Sequence, residues 1–111
     1  MEHKLIYGKK EDVLKGCVIV KVPTYVERMN ALKEINLKVS DTGKVELNDS
    51  TIASFLKMNE LAVKYTASVD LVCKKTDQAF KSLEELEYYD QYQLVTQDIA
   101  NIVLQGATLG N

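Results

Sequence analysis

Few residues in this chain could carry out chemistry, and each class can be tested against its spacing. His3 is the only histidine in 111 residues and sits beside the N-terminus. A nucleophilic triad needs a base held rigidly by packing, whereas chain ends fray. Cys17 and Cys73 are the only cysteines, far apart and among apolar neighbours. They are expected to be buried reduced thiols in a reducing compartment, not a disulfide. One terminal histidine and two distant cysteines do not supply the four ligands of zinc. Asp41, Glu46 and Asp49 near Gly43 lack the ligand spacing of a calcium-binding loop. "DTGK" at 41–44 lacks the full glycine-to-lysine pattern of a phosphate loop and is expected to be a plain turn. Glu84 and Glu85 are adjacent, so on a helix they point about 100° apart and cannot flank one scissile bond. The expectation is a protein with no catalytic, cofactor-binding or metal site.

Charge narrows the partners. The formal net charge is −2, with 27% charged and 46% hydrophobic residues, which is the balance of a folded domain. Lysines gather in the first part of the chain, and no basic residue follows Lys81, while Glu84, Glu85, Glu87, Asp90 and Asp98 remain. Such a C-terminal third repels phosphate and suits a basic or amphipathic partner. Lys9, Lys10, Lys15 and Lys21 could line one side of an N-terminal hairpin. However, Arg28 is the sole arginine, and no helix combines a basic face with base-reading side chains, so no nucleic-acid partner is expected. No apolar run is long enough to span a bilayer, and "MEHKLIYGKKED" lacks the apolar centre of a secretion signal, so a cytoplasmic location without membrane contact is expected.

The elements that position these residues follow from pattern. "KLIYG" and "GCVIVKV" before Pro23 suggest a short β-hairpin punctuated by Gly8 and Gly16. Thr24 and Glu27 form a capping box for a helix whose stripe is Tyr25, Met29 and Leu32. A turn around Asp41–Gly43 and a short strand at Val45–Leu47 come next. A long helix is then expected from a cap at Asp49 or Ser50, with Ile52, Phe55, Leu56, Ala62, Val63 and Val69 on one side and Lys74 and Lys75 at its C-terminus. Its broad apolar face implies a central helix covered on two sides. Ser82 with Glu85 opens a short helix through "LEEL". A last helix, from about Asp90 to a C′ glycine at Gly106, carries the stripe Tyr92, Val95, Ile99, Ile102 and Val103. The expected fold is mainly α, a single small helical domain with a short N-terminal β-hairpin: residues 1–22 β-rich, 24–106 a helical body, 107–111 a tail. Its core is expected on Phe55, Leu56, Val63, Val95, Ile99 and Ile102.

The acidic and aromatic stretch "FKSLEELEYYDQYQLV", residues 80–95, is a joint between the last two helices. Tyr92, extended backwards by Tyr88, should face the core and leave Tyr89 exposed. The candidate partner-binding residues are Glu84, Glu87 and Tyr89.

Three stretches carry a family resemblance: the entry "VKVPTYVERMNALKEINL", this joint, and the terminal helix ending "IVLQGATLGN". Over roughly residues 16–111 the layout resembles the small tail assembly chaperones of long-tailed (siphovirus-type) bacteriophages and prophages. The resemblance implies a non-enzymatic cytoplasmic helper that binds the tape measure protein while tail tube protein polymerises around it, and that is absent from the mature virion. Self-association is compatible with that role. Many of these chaperones are also made in a longer, frameshifted form, and Leu109-Gly110-Asn111 permits a slippery codon sequence. A head–tail connector or minor virion protein is the alternative, and a bacterial regulatory interaction module a further one.

Overall fold

The computed structural model describes residues 1–35, 38–39, 45–46 and 52–105. The chain opens with two strands, β1 (Glu2–Tyr7) and β2 (Leu14–Lys21), paired antiparallel from Glu2↔Lys21 to Tyr7↔Gly16. Their turn is held by the Asp12 carboxylate, whose Oδ2 accepts the Gly8 and Lys9 N–H groups at 3.0 and 2.9 Å. Those two bonds favour the charged form and hold the Asp12 pKa below the usual carboxylate range.

Helix α1 (Tyr25–Ile35) starts at the capping box expected from Thr24 and Glu27. The Thr24 N–H donates to Glu27 Oε1 at 3.1 Å, and the Glu27 N–H donates to Thr24 Oγ1 at 3.2 Å. A two-residue pair, β3 (Lys38–Val39) and β4 (Val45–Glu46), comes next. The expected turn at Asp41–Gly43, the caps Asp49 and Ser50, Gly106 and the tail at 107–111 lie outside the described residues.

The main correction concerns residues 66–80. Helix α2 spans Ile52–Tyr65 and stops there; Thr66–Cys73 is strand β5, and Lys74 and Lys75 sit in a turn before strand β6 (Ala79–Phe80). β5 pairs antiparallel with β2, and β6 with β5, giving one four-stranded sheet in the order β1-β2-β5-β6. The fold is therefore mixed α/β, not mainly α or all-α, and the hairpin is only half of a sheet whose other half comes from the expected helical body. The physical reason is visible in "SVDLV": Val69 and Leu71 are buried while Ser68 and Asp70 are exposed, which is period two. Val69 also satisfies the helical stripe of α2, so the two periods overlap at one residue.

Gly16 permits the β2–β5 approach. Its φ is +120°, and a Cβ built there would lie 2.0 Å from the Asp70 carbonyl oxygen. At the other end of this ladder the register shifts between Ile19 and Val20, leaving Ala67 as an extra residue in β5.

Short helix α3 (Leu83–Leu86) and helix α4 (Gln91–Gln105) complete the chain. α4, not α2, is the central helix. Val95, Ile99 and Val103 pack with Val18, Val20 and Leu71 of the sheet, while Ala100 and Leu104 meet Ala31 and Leu32 of α1 and Met58 of α2. Arg28 fastens the far end: its Nη1 donates to the Gln105 carbonyl, where a cation suits the helix dipole, and its guanidinium stacks 5.5 Å from the Tyr25 ring centroid. The expected core is corrected in part. Val95 and Ile99 are fully buried, Phe55 and Ile102 are half-buried, and Leu56 and Val63 are exposed.

Candidate partner-binding groove

Glu84 and Glu87 come together at a groove where the sheet, α2 and α3 meet. Ser82 is extended and caps α3, its hydroxyl accepting the Glu85 N–H at 3.3 Å. Glu85 reaches back to the Lys81 N–H at 3.1 Å. These bonds fix the first turn of α3, in which Leu83 and Leu86 are buried. Glu84 and Glu87 are then left on the outer side, both exposed.

The groove has a volume of about 510 Å³. One wall is the start of β5, Thr66–Val69; the other is Lys81–Glu84 and Glu87, and Val63 forms part of its floor. A second hollow shares Val63 and Glu87 and continues along α2 past Glu60 and Asn59 to Leu56, with Tyr92 on its far side. Leu56 and Val63 are 57% and 54% exposed and seven residues apart, hence on one helical face. The sequence pattern puts them in the core; α2 instead packs on α4 and α1 through Met58, Ala62 and Tyr65 and leaves Leu56 and Val63 exposed.

The charge around the groove is mixed, with Lys81, Glu84 and Glu87 on its wall. Lys57 lies 3.6 Å from Glu60, and Lys81 Nζ lies 2.6 Å from Asp70 Oδ1, both pairs being well exposed. The hydrogen bond to Asp70 and its charge raise the Lys81 pKa above the ordinary lysine value. No ion pair to Glu84 or Glu87 occurs among the described residues. Burial, helped by the charge of Glu87, pushes the Tyr92 pKa upward at the edge of the hollow.

The three tyrosines of the joint are placed differently from expectation. Tyr88 is 90% exposed instead of extending the core stripe, because it lies in the turn before α4 and not on the helix. Tyr92 is half-buried against the core. Tyr89 is 42% exposed, but its ring packs edge-on against Phe80 at 5.5 Å and its hydroxyl donates to Gln78 Oε1 at 3.0 Å. It does not line the groove beside Glu84 and Glu87. Leu56 and Val63 join the site in its place. The signal for them is their place on α2, where Leu56 and Val63 border the polar strip of Lys57, Glu60 and Lys64.

The chemical candidates stay apart. His3 is exposed on β1. Cys17 and Cys73 are free and half-buried, not fully buried as expected, on neighbouring strands and out of register with each other. The Thr76 hydroxyl and the Thr76 and Lys75 N–H groups lower the Cys73 pKa below the usual thiol value. Among the described residues no group of three or more His, Cys, Asp or Glu is placed to hold a metal ion, and no helix is long and apolar enough to cross a membrane. The side chains of Asp41, Glu46 and Asp49 lie outside the described residues. Comparison with protein-family models, with curated proteins and with solved structures finds no match to this chain.

Proposed function

We propose that this chain is a non-enzymatic tail assembly chaperone, acting in the bacterial cytoplasm, that holds a tape measure protein through the groove between α2 and α3. The observation that carries the proposal is the pairing of exposed Leu56 and Val63 with the acidic edge formed by Glu60, Glu84 and Glu87. A long helical client presents amphipathic segments whose apolar stripe must be covered before assembly and released during it. An open, shallow surface with few deep anchors suits that reversible role. The identity of the client follows the sequence resemblance, and the surface supplies a physical route to capture it.

The test is co-expression with the protein encoded immediately downstream, which the proposal expects to be a long helical tape measure protein. The client is expected to stay soluble and to co-purify with the chain, and Val63→Asp with Leu56→Asp should abolish co-purification while the variant keeps a cooperative melt. A client that is equally soluble without the chain, or that is retained by the folded double variant, would overturn the proposal.

A further inference from the structure

The groove is also a break in the sheet. β6 pairs with β5 only at Leu71↔Phe80 and Val72↔Ala79, with the adjoining Cys73 N–H donating to the Gln78 carbonyl at 2.9 Å. In an antiparallel ladder the bonding residues alternate, so on this edge they are Cys73, Leu71 and then Val69. The register would place Ser82 opposite Val69. Instead the ladder stops, Ser82 turns its hydroxyl to the Glu85 N–H, and the chain leaves as α3. The last tie across the step is the ion pair of Lys81 with Asp70. Beyond it the groove opens along Thr66–Val69, and the same alternation sets the N–H and C=O of Val69 on the side a strand would occupy.

We propose that this groove captures an extended peptide strand by backbone pairing to the β5 edge at Val69, with lysine or arginine side chains of that strand set against Glu84 and Glu87. An unpaired edge is a ready template for strand addition. Protein edges are commonly blunted by lysines or proline; here the lysine on the wall, Lys81, is engaged by Asp70, and Glu84 and Glu87 form no ion pair among the described residues. Val63 and Leu83 supply the apolar contact for alternate side chains, and the carboxylates select the charge between them. The inference concerns the same groove as the proposed client site and rests on that reading only for the client's identity.

The experiment uses the full chain, isotope-labelled, and a short capped peptide alternating lysine and valine. At a peptide concentration ten times its Kd, exchange of the Val69 N–H is expected to slow about tenfold. The same peptide N-methylated on its edge-facing amides should give no protection, and Glu84→Gln with Glu87→Gln should weaken binding severalfold at low salt. The inference is overturned by absence of binding, by equal binding of the N-methylated peptide, by an unchanged affinity of the double variant, or by binding that perturbs the Leu56 and Asn59 amides while Val69 exchanges freely. Co-purification of the tape measure client without Val69 protection would sink strand capture and leave the chaperone proposal standing. Val69 protection by the peptide in a chain that never retains that client would do the reverse.

Discussion

Tyr7 donates its hydroxyl to Asp98 Oδ2 at 2.7 Å, tying edge strand β1 to the central helix α4 across 91 residues of sequence. Tyr7 is buried, and burial followed by the Asp98 hydrogen bond and charge raises its pKa far above the ordinary tyrosine value. The folded state therefore keeps a proton that the unfolded chain releases near pH 10. A raised pKa gives stability that is complete below the unfolded value and is lost as pH rises above it, by at most about 1.4 kcal/mol per pH unit. Tyr92 is shifted in the same direction and adds to the slope. Denaturant unfolding of the parent chain should weaken above about pH 10, and Tyr7→Phe should flatten that decline. Near neutral pH the same substitution should cost about 1.5–3 kcal/mol, the usual worth of a hydrogen bond to a charged group. An unchanged alkaline slope in Tyr7→Phe would mean that other groups carry it.

Gly16→Ala should destabilise the chain by well over about 1 kcal/mol, because both space and backbone conformation exclude a side chain. The added Cβ meets the Asp70 carbonyl oxygen at 2.0 Å, and backbone atoms of β5 cannot step aside without breaking the β2–β5 ladder. Gly8 is the internal control. Its φ of +135° also disfavours alanine, but the nearest atom to its Cβ is the Lys15 Cβ at 3.8 Å. Equilibrium unfolding should therefore rank Gly16→Ala well below Gly8→Ala, and equal losses would contradict the close approach of β2 and β5.

Ile99→Ala should lower stability by about 2–5 kcal/mol, as for other large buried aliphatics whose sites collapse incompletely. Leu56→Ala and Val63→Ala, half exposed, should stay within about 0.5 kcal/mol in the same denaturant titration. A large loss at either α2 position would return that face to the core and remove it from the proposed groove.

Sequence pattern carries the elements whose signals are local. Thr24 with Glu27 and Ser82 with Glu85 are legible because capping depends on residues three apart, and Val95, Ile99 and Val103 because one helix face meets one core. The sheet is hidden because β5 is recruited by β2 from more than forty residues away, and Val69 fits helix and strand periods alike. Leu56 and Val63 read as interior because an apolar face says that something covers it without saying whether that cover belongs to the same chain. Of the candidate site, Glu84 and Glu87 are legible from charge on a capped short helix. Tyr89 is not, since its partners Gln78 and Phe80 lie just before and within β6, a strand placed only by its pairing with β5.

That difference separates Tyr89 from its acidic neighbours in the last prediction. Losing the edge-on contact with Phe80 and the bond to Gln78, Tyr89→Ala should cost about 1–2 kcal/mol in stability. Below the melting transition it should still retain the client, because its ring does not line the groove. Glu84→Lys with Glu87→Lys should behave in the opposite way. Both side chains are exposed and unpaired among the described residues, so the melt should barely move. Capture of a basic amphipathic client should fall most at low ionic strength, where screening over about 30 Å leaves surface charge its longest reach, and mainly through slower association. Association rates measured at low and high salt, beside thermal melts of each variant, distinguish the two. A Tyr89→Ala protein that melts normally and loses its client would move the binding surface back to the tyrosine side of the joint. A charge-reversed double variant that associates at the parent rate at both salts would remove Glu84 and Glu87 from client capture altogether.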